Sequence, residues 1–162
     1  MLLRMAIAGI QLEPSSGSAV LVLSDDDGRT LPILIGLAEA TSIAKELEGV
    51  ALPRPLTHDL LRDVIQKLHA RVLRVEVTDL RDNTYYAVVV IENAEGHETL
   101  LDSRPSDAIG LSVRVNAPIF VHEQVLRKTH SGPQEILAVT EKEEWKKLLE
   151  EMEPEDFGKY KM

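Results

Sequence analysis

The chain has 162 residues, which is a usual size for one domain and enough to bury a hydrophobic core without metals or cross-links. It contains no cysteine, which excludes disulfides and thiolate metal sites. It has neither a basic leader before a long apolar segment nor the ~18 consecutive apolar residues of a membrane span. We therefore expect a cytoplasmic protein. Its formal net charge of −9 argues against a broad nucleic-acid-binding surface, because contacts to phosphates depend on clustered Lys and Arg.

Three strands followed by a helix are predicted for the first part of the chain. Apolar residues alternate with polar ones over residues 4–13, and further apolar runs cover residues 19–23 and 30–35, with turn-forming residues between them. From residue 37 the apolar positions recur at the spacing of an amphipathic helix, which Gly49 is expected to end. The pattern indicates a three-stranded unit that leads into a helix.

A second helix is predicted to begin at Thr57, whose hydroxyl is of the type that caps helix N-termini. Apolar residues then recur at helical spacing, and charged residues occupy the opposite face. The expected buried stripe consists of Leu60, Leu61, Val64, Ile65 and Leu68.

The chain then repeats the first pattern. Strands are predicted over residues 72–78, 85–91 and 98–101, a helix over 105–115 and a short strand over 119–121. Two series of three strands and a helix, with one extra helix between them, suggest a duplicated β3α unit. We therefore predict a compact α/β domain of the α+β type with antiparallel strands.

An acidic tail is predicted for residues 132–162, after a domain that spans residues 1–131. The tail contains a charged helix over residues 141–152. Without the tail, residues 1–133 still contain 18 acidic and 13 basic residues. Any contact with nucleic acid would therefore be local or bridged by divalent cations.

Two short segments place Arg and Pro at the start of a helix, residues 54–59 (RPLTHD) and 103–108 (SRPSDA). In each segment Pro fixes the backbone at the helix start, and a hydroxyl and an Asp lie in the first turn. Free backbone N–H groups attract anions there, and Arg offers a forked partner for phosphate. The predicted phosphate-binding residues are Arg54, Thr57, Arg104 and Ser106.

Carboxylates near the same helix starts are suited to a divalent cation, because magnesium typically takes one or two carboxylates together with substrate oxygens and water. The predicted ligands of Mg or Mn are Glu39, Asp59 and Asp107. His58 is the candidate for moving a proton near neutral pH. These four residues are the predicted catalytic group of a metal-assisted hydrolysis of phosphodiester bonds.

The same residues also have a purely structural interpretation. An acid in the first turn of a helix stabilises it by ~0.3 to 1 kcal/mol, so capping accounts for these residues without any ligand. Arg54 and Arg104 would then pair with the acids and lock the helix starts together. The alternative to an enzyme is thus a non-enzymatic oligomeric binding module for an anionic ligand or a protein partner, which the acidic charge and the 4% aromatic content favour.

Five segments of the chain resemble the bifunctional nuclease domain family, in order and at the expected spacing. They are residues 10–12 (IQL), 31–36 (LPILIG) followed by Glu39 and Ala40, 53–61 (PRPLTHDLL), 103–109 (SRPSDAI) and 117–119 (API). The resemblance extends over about residues 2–128. It places all of the predicted site residues at motif positions of the family, without assigning a catalytic role to any of them.

The resemblance implies a compact α/β domain with antiparallel strands, usually assembled as a homodimer or larger homo-oligomer. For the plant members of the family it implies nuclease activity on both DNA and RNA, so the expected partners are nucleic acids and further copies of the chain, with no membrane. Residues 141–160 are also similar to a truncated UvrB/UvrC-type motif, a short helical hairpin for protein contacts.

Overall fold

The first half of the chain folds as a three-stranded antiparallel meander followed by a helix. In the computed structural model, which describes residues 1–13 and 16–130, these elements are β1 (Leu2–Glu13), β2 (Ser18–Ser24), β3 (Thr30–Gly36) and α1 (Leu37–Leu47). Every second residue of β3 is buried, which is the period that alternating apolar residues impose on a strand.

A second meander and helix follow after one intervening helix. They are β4 (Arg71–Arg81), β5 (Thr84–Glu92), β6 (Glu98–Ser103) and α3 (Pro105–Val115), and the intervening helix is α2 (Thr57–Lys67). Asn116, in the left-handed backbone conformation with φ 54°, ends α3. Both β3α units expected from the sequence are therefore present.

One short strand joins the two meanders into a single sheet. β7 (Ile119–His122) pairs antiparallel with β1 and parallel with β4, which gives the strand order β3-β2-β1-β7-β4-β5-β6. After β7 comes α4 (Glu123–His130), a helix that was not predicted and that packs on β4 and β7. The predicted α+β class is confirmed, with a mostly antiparallel seven-stranded sheet and four helices in the described part of the chain.

The hydrophobic core lies between the sheet and the helices. Fully buried side chains come from β2, α1, β4 and α3, among them Leu21, Ile43, Val75 and Ile109. α1 and α2 both pack against α3. The core thus fixes the three helices that supply the candidate site.

α2 differs from its prediction in two ways. Leu56 is its N-cap residue in place of Thr57, and the side chain of Asp59 accepts a hydrogen bond from the Leu56 backbone N–H at 2.7 Å. Of the predicted buried stripe, only Ile65 is buried. The members that remain exposed are Leu60, Leu61, Val64 and Leu68. Periodicity correctly indicates an apolar face on a helix, but it cannot indicate whether another element covers that face.

The predicted acidic tail over residues 132–162, together with its charged helix, lies outside the described residues. Among the residues that are described, no helix combines the length and apolar character needed to cross a membrane.

Candidate active site

Each of the helices α1, α2 and α3 carries an acid at the third position of its first turn, where a negative charge complements the helix dipole. These acids are Glu39, Asp59 and Asp107. Because α1 and α2 both pack on α3, hydrogen bonds between side chains connect the helix starts across the domain. The local sequence sets each acid at its helix start, whereas tertiary packing brings the helix starts together.

Arg104 forms the solvent-exposed end of the hydrogen-bonded network between these helices. Its Nε donates to Oδ2 of Asp107 at 2.7 Å and its Nη2 donates to Oδ1 at 3.1 Å, so the guanidinium holds both carboxylate oxygens. Its Nη1 donates to Oε1 of Glu39 at 3.1 Å. Because 65% of the side chain is exposed, the guanidinium is also accessible to a negatively charged ligand.

His58 lies in the middle of the network, and both of its ring nitrogens are occupied. Nε2 lies 3.1 Å from Oδ1 of Asp107, and Nδ1 lies 3.2 Å from Oγ of Ser42. Because a carboxylate only accepts hydrogen bonds, the proton of the neutral ring belongs on Nε2, and the Ser42 hydroxyl then donates to Nδ1. The side chain is only 9% exposed, so little of the ring is accessible to a ligand.

Gly110 of α3 makes room for this imidazole ring. A Cβ atom at position 110 would lie between 3.0 and 3.2 Å from three ring atoms of His58. Glycine in the interior of a helix costs about 1 kcal/mol relative to alanine. Its presence here permits the close packing of the ring against the α3 backbone.

Arg114 forms the buried end of the network, with 1% of its side chain exposed. Its Nε donates to Oδ1 of Asp59 at 2.6 Å, and its Nη2 donates to Oγ of Ser42 at 3.0 Å. Its Nη1 donates to the carbonyl oxygen of Gly110 at 2.8 Å. Removing a charge from water costs several kcal/mol, and these partners offset that cost. The seven-residue network therefore consists, in order, of Glu39, Arg104, Asp107, His58, Ser42, Arg114 and Asp59.

The arginines hold the pKa of both aspartates of the network below the ordinary value. Burial raises the pKa of Asp107, but hydrogen bonds from Arg104 and His58 and the positive charge of Arg104 outweigh it. Burial likewise raises the pKa of Asp59, and hydrogen bonds from Arg114 and the Leu56 N–H, with the charge of Arg114, outweigh it. Asp107 is therefore ionised at neutral pH and is a weak base while Arg104 is bound to it.

Two adjacent pockets, which share Leu56, open beside the first turn of α2. The His58 pocket has a volume of about 240 Å³ and is lined by Ala38, Glu39, Ser42, Leu56, Thr57, His58, Arg104 and Asp107. The Arg54 pocket has a volume of about 320 Å³ and is lined by residues 50–56 with Lys45, Glu46, Asp59, Arg62 and Arg114. The seven-residue network runs from one pocket to the other.

The structure divides the single site expected from the sequence between these two pockets. The predicted residues that line the His58 pocket are Glu39, Thr57, His58, Arg104 and Asp107. Arg54 and Asp59 line the Arg54 pocket, and the buried Ser106 lines neither. Arg104 pairs with Glu39 and Asp107 as the structural interpretation expected, but the partner of Asp59 is Arg114 and not Arg54.

The three carboxylates predicted to share a divalent cation do not come together. Within residues 1–13 and 16–130, no three His, Asp or Glu side chains form a group that could hold a metal. Asp59 is turned to Arg114, while Glu39 and Asp107 face the His58 pocket. These two carboxylates, with substrate oxygens and water, have the donor chemistry that magnesium takes, but Arg104 now binds both of them.

Three residues of the site were missed by reasoning from the sequence: Ser42, Gly110 and Arg114. Ser42 follows Glu39 by three residues, and Arg114 follows Asp107 by seven, so each shares a helical face with a predicted residue. A glycine within a helical pattern is itself a sign of a close approach. The signals were present, but they become informative only when the neighbouring helices are known.

A comparison with protein families finds a match over residues 21–133 to the family described as "Bifunctional nuclease domain". An uncharacterised protein of Mycobacterium tuberculosis is 38% identical over 160 residues, which cover 93% of this chain and 95% of that protein. The similarity therefore extends over nearly the whole length of both chains.

Two plant proteins are more distant relatives. "Bifunctional nuclease 1" of Oryza sativa subsp. japonica is 25% identical over 120 residues, 72% of this chain and 36% of the rice protein. "Bifunctional nuclease 2" of Arabidopsis thaliana is 28% identical over 106 residues, 64% of this chain and 32% of the plant protein. The matched region makes up about a third of each plant protein.

Proposed function

This chain belongs to the bifunctional nuclease domain family, and we propose that it hydrolyses phosphodiester bonds of DNA and RNA in the His58 pocket. The observation that carries the proposal is the position of Asp107, which binds an exposed guanidinium on one side and a buried imidazole on the other. Asp107 therefore connects two groups. The guanidinium of Arg104 is a cation that can exchange its carboxylate partners for a phosphate, and the imidazole of His58 forms a pair with Asp107 for proton transfer.

Arg104 binds the substrate in this mechanism. A phosphate at the mouth of the pocket draws the guanidinium away from Glu39 and Asp107, and Thr57, in the first turn of α2, lines the same pocket. Losing the hydrogen bonds from Arg104 raises the pKa of Asp107 towards its ordinary value. Substrate binding therefore converts Asp107 from a weak base into a stronger one.

The pair of Asp107 and His58 then accepts the proton of the attacking water. The water oxygen forms a bond to phosphorus, the bond to the leaving oxygen breaks, and the leaving oxygen takes up a proton from bulk water, to which Asp107 returns the proton it accepted. Ser42, behind the ring, keeps the Nδ1 side occupied so that Nε2 remains directed at Asp107. Of the residues predicted to be catalytic, His58 and Asp107 keep that role here, and Asp59 becomes a positioning residue that acts through Arg114.

A divalent cation, magnesium or manganese, is part of the proposal. Glu39 would hold it together with substrate oxygens and water once Arg104 has turned to the phosphate, and when bound it would polarise the phosphoryl oxygens. Asp107, predicted from the sequence as a further ligand, has the role of the base in this mechanism.

A cleavage assay on single-stranded DNA and RNA, with magnesium, manganese or EDTA, tests the function. We expect Asp107→Asn and His58→Ala to lower the rate by about 10²-fold or more. Matched controls are Asp26→Asn in an exposed turn and His97→Ala, both remote from the pockets, which should cleave like the unmodified chain. Activity that survives both site substitutions would rule out this site, and activity that resists EDTA would rule out the cation.

A binding module for an anionic ligand is the second candidate, favoured by the mutual pairing of every charged group in the His58 pocket. A thermal-shift screen with nucleotides and inorganic phosphate separates the two. Stabilisation that depends on Arg104, in a protein without cleavage activity, would favour the binding module.

A further inference from the structure

We propose that the Arg54 pocket binds a second backbone phosphate, so that the substrate is a nucleic-acid strand lying across both pockets. This inference rests on the proposed function, because it places the scissile phosphate in the His58 pocket and a flanking phosphate beside Arg54. It names the substrate class as an oligonucleotide, in place of a mononucleotide or a single isolated phosphodiester.

The charges in the Arg54 pocket favour an anion. Four of its lining residues are basic and two are acidic, although the chain as a whole is strongly negative. Arg114 and Asp59 neutralise each other inside the pocket wall. Arg62 pairs with Asp63, whereas Arg54 forms no hydrogen bond or ion pair with any other residue in the described part of the chain. An exposed guanidinium in a concave, locally positive site is suited to a forked contact with phosphate.

Burial of Lys45 supports the same ligand chemistry. Its side chain lines the Arg54 pocket, its residue is only 4% exposed, and this burial lowers its pKa. A phosphate bound in the pocket would favour the charged form of the amine. Lys45 therefore adds a basic residue to the wall of this pocket.

The arrangement of the two pockets fits a continuous strand. They share Leu56, and the seven-residue network connects Arg114 in one to His58 in the other. Within residues 1–13 and 16–130, no Phe, Tyr or Trp lines either pocket, so none of these described residues offers a ring there on which a base would stack. Recognition through the backbone alone is indifferent to sequence, which accords with a substrate range that includes both DNA and RNA.

Fluorescence anisotropy with EDTA present, to prevent cleavage, tests the second phosphate site. The probes are a labelled oligothymidylate of about ten nucleotides and the dinucleotide TpT, which has a single phosphodiester. We expect Arg54→Gln to weaken binding of the oligonucleotide by about tenfold and to leave binding of TpT unchanged. The slope of the logarithm of the binding constant against the logarithm of the salt concentration should fall by the amount that about one phosphate contact contributes. Arg4→Gln is the matched control, since Arg4 is exposed and lines neither pocket.

Two outcomes overturn the inference: Arg54→Gln binds the oligonucleotide as tightly as Arg4→Gln does, or it weakens TpT and the oligonucleotide equally. These results are independent of the cleavage assay. Loss of oligonucleotide binding in Arg54→Gln, in a chain that cleaves nothing, would support the second phosphate site while removing the proposed catalysis. If the chain cleaves nucleic acid and Arg54→Gln binds the oligonucleotide unchanged, the proposed catalysis would stand and the second phosphate site would be removed.

Discussion

Arg104 is the N-cap residue of α3 and Arg114 lies ten residues later in the last turn of that helix, and each pairs with an Asp at the third position of a helix, yet their surroundings are opposite. The side chain of Arg104 is 65% exposed, whereas that of Arg114 is 1% exposed. Among the described residues, Arg104 donates only to carboxylates, while Arg114 also donates to a serine hydroxyl and to a backbone carbonyl. Both residues are arginines that bind an aspartate, so solvent exposure and the further partners of Arg114 decide what each arginine can do.

Exposure sets the cost of releasing each pair. A solvent-exposed ion pair contributes about 0 to 1 kcal/mol, so a ligand exchanges with its partners at little cost. Breaking a buried pair by removing one partner costs about 3–5 kcal/mol, because the other charge is left without compensation. Arg104 is therefore suited to exchange with a phosphate, and Arg114 to holding three helices in fixed positions.

Replacing the buried arginine should give the largest effect. We expect Arg114→Met to lower the free energy of unfolding by about 3 kcal/mol, because Asp59 then remains partly buried without its cation. Urea denaturation followed by circular dichroism measures this. Arg127→Met, which removes an exposed pair with Glu123, is the control and should cost under about 1 kcal/mol. Equal losses in the two variants would break the comparison.

Acid should destabilise the fold more through the buried pair than through the exposed one. The pKa of Asp59 is lowered in the folded state, so its charge stabilises the fold above the unfolded value of about 4, and this stabilisation is lost as the pH falls through the lowered pKa. We expect the Tm to fall between about pH 5 and pH 3, and Asp59→Asn to flatten that fall. Asp107→Asn should flatten it less, since Arg104 keeps Glu39 and water as partners. A larger effect from Asp107→Asn would contradict the ranking.

Gly110 bears on two members of the network: its carbonyl oxygen accepts a hydrogen bond from Arg114, and its lack of a Cβ leaves room for the ring of His58. In Gly110→Ala the gain of about 1 kcal/mol in helix propensity is offset by displacement of the ring, which is held at both nitrogens. We expect stability to change by less than about 1 kcal/mol, while cleavage falls by about tenfold or more. Thermal melts and cleavage rates measured on the same preparation separate the two effects. Unchanged cleavage would show that the position of the ring is unimportant.

Replacing the exposed arginine should give the smallest effect on stability. We expect Arg104→Gln to change the free energy of unfolding by no more than about 0.5 kcal/mol and to lower cleavage by about 10²-fold. Arg104→Lys keeps the charge but loses the forked geometry, so it should restore only part of the activity. A destabilisation comparable to that of Arg114→Met would assign Arg104 a structural role instead.

Most of the fold is predictable from the sequence because apolar periodicity is a local property. The alternation in β3 and the helical spacing in α1 and α3 lead directly to the observed elements. α4 was missed because it is only eight residues long and has two buried apolar side chains, Val125 and Leu126, which are too few to form a recognisable periodic pattern. The exposed face of α2 was missed because burial depends on which elements reach it, and that is settled by tertiary structure.

The candidate site was predictable in its helix starts but not in its connections. Arg104, His58 and Asp107 are prominent because Arg-Pro segments and first-turn acids are recognisable patterns. The bond from Arg114 to Ser42 joins residues 72 positions apart, and the bond from Arg114 to Asp59 joins residues 55 positions apart. Such contacts depend on how α1 and α2 dock on α3, so the division into two pockets could emerge only from the folded chain.

The position of β7 sets the order in which the domain can be completed during translation. This strand is the last of the described sheet to leave the ribosome, yet it lies in the middle of the sheet and is the element that joins the two meanders. Each meander can form early from contacts close in sequence, whereas the junction waits for residue 122. The residues of the seven-residue network come from both sides of that junction. A nascent chain that ends before β7 would therefore contain every network residue without the continuous sheet that holds them in place.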